Sequence, residues 1–93
     1  MPDDDRSKLL YEKSYILLTT FPDKRLKEGT LDLLEAIKLV PRDSENKEFL
    51  YEVYEVLWKD KQFSDDEAGR EMQEVKEKVR VVVEEYMSGQ KNN

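Results

Sequence analysis

The sequence predicts an all-α fold: a four-helix compact bundle of two αα-hairpins with a longer C-terminal helix. Three observations lead there. Apolar residues recur at three- and four-residue spacing in four separate segments. No segment alternates with period two, so no strand is expected. Glycine and proline are few, three of each, and Pro22, Pro41 and the polar run "FSDDE" mark the boundaries between segments. Ninety-three residues without a cysteine make one helical domain, 1–93, near the lower end of sizes that fold unaided. Residues 1–4 and 88–93 are expected to fray.

The first helix, about 5–20, carries Leu10, Leu17 and Phe21 on one row and Tyr11, Tyr15 and Leu18 on the next. The second, about 23–40, has Leu26, Thr30, Leu33, Ile37 and Val40 on one stripe, and Pro41 ends it. The third, about 45–60, takes Ser44 or Asp43 as N-cap. Its rows are Phe49, Val53 and Val56, then Leu50, Tyr54 and Leu57. Ser64-Asp65-Asp66-Glu67 reads as a capping box, with Ser64 as the N-cap of a fourth helix and Glu67 reaching back. Ala68, Met72, Val75, Val79, Val82 and Tyr86 form its apolar stripe, out to about Met87.

Charge narrows the partners. With 16 basic and 22 acidic residues the net charge is −6, the wrong sign for gripping a phosphate backbone, so no nucleic acid is expected. Basic residues are interspersed among the acids, the pattern of a solvated surface laced with ion pairs. The opening "MPDDDRSKLL" is acidic where a secretory signal is basic, and no apolar run reaches the length of a membrane span. A cytoplasmic protein with no integral membrane segment is the expectation.

Chemistry has few candidates. The chain has neither histidine nor cysteine, which removes the usual general base near neutral pH and the usual soft metal ligands. Its serines have no imidazole to activate them, and no glycine-rich phosphate loop is present. "DSENKE" fails as a calcium loop at Lys47 and at Glu48, where that loop needs glycine. Glu67, Glu71 and Glu74 share a helical face, but basic residues alternate with them. No catalytic residue, cofactor or metal is expected.

Displacing the chain by 39 residues sets Tyr15 on Tyr54, Leu18 on Leu57, and Gly29 on Ala68, so each hairpin has an aromatic on its first helix and a small residue early on its second. "EGTLDLLEAIKLVPRD", with Gly29, Leu33, Ala36 and Pro41, resembles the second helix of a tetratricopeptide repeat. That resemblance implies helical hairpins that bind other proteins. None of the family's groove residues maps to a position here. The stretch "KDKQFSDDEAGREMQEVKE" is similar to the approach to the last helix of bacteriocin immunity proteins. That resemblance implies a four-helix protein acting on a membrane-associated target.

The third helix raises the question of a site. Tyr51 and Trp58 lie seven residues apart, on a third row roughly 80–100° from the two core rows, judged at about 100° per residue. Either neighbouring helices cover them, with their polar tips at the rim, or they form an exposed strip for a partner. The second alternative makes Tyr51 and Trp58 the candidate partner surface of a non-enzymatic protein-interaction or regulatory module, binding another protein or a second copy of this chain.

Overall fold

The punctuation seen in the sequence divides the chain into four helices in the computed structural model, which describes residues 2–91. They are α1 (Asp3–Thr20), α2 (Leu26–Leu39), α3 (Ser44–Val53) and α4 (Glu67–Lys91). A π-helical segment (Tyr54–Trp58) continues α3 without a break. Residues 3–4 and 88–91, expected to fray, are helical. Three aspartates in the first turn of α1 suit the positive end of its dipole. Met1, Asn92 and Asn93 lie outside the described residues.

The expected four-helix bundle of two hairpins is the observed architecture. Its radius of gyration, 13.2 Å, is that of one folded unit of this length. Its thinnest dimension is 20 Å, about two helix diameters. Within it, α2 packs closely against α1, α3 and α4, whereas α1 packs closely only against α2. The whole predicted stripe of α2 is buried: Leu26, Thr30, Leu33, Ile37 and Val40. Leu50, Val53, Trp58, Val75, Val79 and Val83 meet it from the other helices.

The buried face of α1 differs from expectation. Of the two predicted rows only Leu18 is buried, and Ser7 and Ser14 lie in the interface instead. The two helices also meet closely at Gly29. A methyl group on Gly29 would stand 2.7 Å from Cγ and 2.8 Å from Cδ2 of Leu18. The hydroxyls are satisfied at short range. Ser14 donates to the Tyr11 carbonyl at 2.8 Å, and Ser7 donates to the Ala36 carbonyl at 2.9 Å. Ser7 also accepts from Asn46 Nδ2 at 3.2 Å, so α1, α2 and α3 are joined through one buried hydroxyl. At the edge, Lys13 pairs with Asp32 at 3.2 Å and with Glu28 at 3.4 Å. The hydrogen bond to Asp32, foremost, raises the Lys13 ammonium above its ordinary pKa.

The start of α3 follows expectation. Asp43 Oδ1 accepts from the N–H groups of Glu45 at 3.0 Å and Asn46 at 3.4 Å. The start of α4 does not. Its cap is Asp66, which accepts from the Gly69 N–H at 2.8 Å, and Ser64 donates to Asp66 Oδ1 at 2.7 Å. Ser64 is therefore the cap's support rather than the cap. The reason is Gly69: the preceding loop folds back so closely that a side chain there would meet the Ser64 backbone carbonyl. The small residue of the second hairpin is thus Gly69, one position beyond the Ala68 suggested by the internal echo.

Two outcomes follow for stability. Gly29→Ala should lower stability by about 1–3 kcal/mol through overpacking, although alanine is the better helix former by about 1 kcal/mol. In a urea-denaturation double-mutant cycle, Leu18→Ala should relieve part of that penalty. Gly89→Ala, where nothing lies within 4 Å, should not destabilise.

For Asp66, the Gly69 N–H and then the Ser64 hydroxyl hold the carboxyl below its usual pKa. Its contribution is therefore present above the unfolded carboxylate pKa, about 3.9, and is lost as acidification passes the lower folded value. The destabilisation caused by Asp66→Ala, read from urea midpoints, should be full at pH 7 and shrink below about pH 4. Ser64→Ala should cost less than Asp66→Ala at neutral pH.

Candidate functional site

Of the two sequence-predicted site residues, Trp58 belongs to the core. Its ring is 0% exposed, its Nε1 donates to Thr30 Oγ1 at 3.0 Å, and Phe63 packs against it with centroids 5.8 Å apart. The physical reason lies in the backbone. Five α-helical residues from Val53 overshoot a full turn by about 140° at 3.6 residues per turn. Here the Lys59 N–H bonds to the Tyr54 carbonyl at 2.8 Å, the five-residue closure of a π turn. That wider turn returns Trp58 to the side on which Val53 points. The buried series in this helix is accordingly Asn46, Leu50, Val53, Trp58. The indole N–H ends on a buried threonine rather than at the rim.

The same turn moves Val56 outward. Assigned to a core row from its spacing, it is 80% exposed. It joins Tyr15, from a predicted core row of α1, and Ile16, from neither row. Tyr15 is 50% and Ile16 58% exposed on α1. Tyr11, Tyr15 and Phe49 form an aromatic cluster between α1 and α3, with centroids 5.4–6.4 Å apart. A shallow groove of about 270 Å³ continues from Phe49 past Val53, Val56 and Leu57 to Pro22 and Thr19. Ile16, Tyr15, Phe49 and Val56 thereby mark one continuous apolar face across two helices. No periodicity rule identifies it, because the helical phase that exposes Val56 comes from the π turn.

Tyr51 is half-buried on the other flank of α3. It lines a second groove, of about 390 Å³, with Glu48, Glu52, Tyr86, Met87 and Gln90. Its hydroxyl points along the helix to Glu55 at 3.4 Å. Glu52 borders both grooves, so the outer edge of α3 is an acidic ridge with an apolar trough on either side. The field of this ridge is felt nearby. Burial first, then Glu45, Tyr15, Glu52 and Asp43, pushes the Tyr11 phenol above its ordinary pKa.

Among the described residues no three acidic side chains converge at metal-binding distance, and no helix is long and apolar enough to cross a membrane. The chain matches no protein-family model, no curated protein and no solved structure.

The placement of Trp58 has a direct test. Its fluorescence in the dilute protein should be blue-shifted and protected from acrylamide. Thr30→Val removes the acceptor of a buried N–H and should cost about 1–3 kcal/mol. Trp58→Ala should cost about 3–5 kcal/mol through its cavity.

Proposed function

We propose that the chain is a non-enzymatic protein-interaction or regulatory module whose binding face is the apolar surface shared by α1 and α3. One observation carries this reading: Tyr15, Ile16 and Val56 are exposed together, beside Phe49 and a groove that runs on from it. Single exposed apolar residues are ordinary. A contiguous patch spanning two helices is the usual mark of a surface that meets another macromolecule. The lack of histidine and cysteine supports a binding role over a catalytic one, since no activated nucleophile or general base stands out. The partner is another polypeptide, either a different protein or a second copy. Tyr51 enters this reading as a flank of the same surface, across the Glu48–Glu52 ridge, and Trp58 as part of the floor that holds α3 in place.

Site-specific photocrosslinking tests the assignment. A photoreactive side chain at Val56 or Ile16 should give discrete crosslinked polypeptides in source-cell lysate or concentrated pure protein. The same group at Gln73, on the exposed face of α4, should not. Tyr15→Lys should suppress the Val56 products by about tenfold or more, on the scale of interface hot spots. Equal crosslinking from Val56 and Gln73, or none from either, would remove the assignment.

A further inference from the structure

The trough on the α4 side of the ridge has a different chemistry from the apolar face. Two phenol rings, Tyr51 and Tyr86, and the Met87 side chain make its walls, and the carboxylates of Glu48 and Glu52 stand at its edge. Among the described residues no lysine or arginine lines it. Some acids elsewhere are matched, Glu55 with Lys59, Glu71 with Lys27, Glu77 and Glu84 with Arg80, and Asp32 and Glu28 with Lys13, whereas others, Glu12 and Glu45 among them, have no cation within 4.0 Å among the described residues. Glu48 and Glu52 have no cation within 4.0 Å among the described residues. Unneutralised carboxylates beside aromatic faces attract a cation twice, through its charge and through the quadrupole of the ring. A guanidinium suits such a place well, because it is weakly hydrated, stacks on aromatic rings and offers forked donors to carboxylates.

We infer that the trough between α3 and the C-terminal part of α4 seats a basic side chain, arginine first and lysine second, of a partner polypeptide. This rests on the interaction-module reading and specifies the chemistry of the partner. The partner presents apolar side chains to the α1–α3 face and a cation across the ridge, against Tyr51 and Tyr86. Charge complementarity supports it: the chain carries −6 overall, and Glu48 and Glu52, unpaired among the described residues, both line this trough. Glu52, which borders both troughs, is the hinge of the recognition.

The experiment uses the full chain, isotopically labelled, in about 0.15 M salt, where diffuse attraction is screened beyond about 8 Å. The probe is a six-residue acetylated and amidated peptide with one arginine among glycines and serines. Its control replaces arginine with citrulline, which has a similar shape and no charge. Saturable NMR shifts centred on residues 48, 51, 52, 86, 87 and 90 are expected with the arginine peptide and not with the citrulline peptide. Tyr51→Leu, which keeps every charge, should weaken binding about threefold or more, and Tyr51→Phe should retain it. Glu48→Gln with Glu52→Gln should also weaken it about threefold or more. Shifts scattered over the acidic surface, no shifts at all, or an affinity indifferent to Tyr51→Leu would each overturn the inference. Failure of the peptide with Val56 crosslinking intact removes only the cation seat. Shifts intact without Val56 crosslinking remove the broader module and leave the seat.

Discussion

Where α1 crosses α2, Gly29 leaves no room for a methyl group, because the Leu18 side chain already occupies the space. The same buried region carries polar contacts: the hydroxyls of Ser7 and Ser14 have partners at hand. Tyr11 and Tyr15 meet Phe49 on α3, and Ile16 faces solvent.

Because α2 touches all three other helices, it transmits this geometry. Ala36 receives the Ser7 hydroxyl from α1, and Thr30 receives the Trp58 N–H. The same helix therefore fixes the height of α1 through one hydrogen bond and the rotation of the α3 extension through another. Buried polar contacts of this kind add modest net stability, but they penalise any arrangement that leaves them unmade. They specify which faces look outward.

What the sequence makes legible divides along the same line. The stripe of α2 and Val75 and Val79 of α4 are readable because apolar side chains meet a core at regular spacing; Val83, rather than the expected Val82, completes the buried face of α4. The buried face of α1 is not readable, since a serine at an interface looks like any solvated serine until the neighbouring backbone is known to be near. Asp66 was hidden by its neighbour: Ser64 and Glu67 fit a capping box, and only the fold-back over Gly69 decides for the aspartate. Uniform α-helical phase locates Tyr51 on the flank of α3 but misplaces Trp58, because that phase fails within Tyr54–Trp58.

That π turn has a meaning in chain length. From Val53 to Trp58 the helix spends five residues where an α-helix would bring a side chain back to nearly the same side in four. Residues 54–58 therefore hold one residue more than the core requires. The surplus appears at the surface, where Val56 stands 80% exposed. A shorter sibling chain, lacking one residue between Val53 and Trp58, would keep the indole over Thr30 and close the helix smoothly. It would lose the outward step that carries Val56. An insertion of one residue, absorbed without disturbing the core, is enough to raise a new contact point on an otherwise regular bundle.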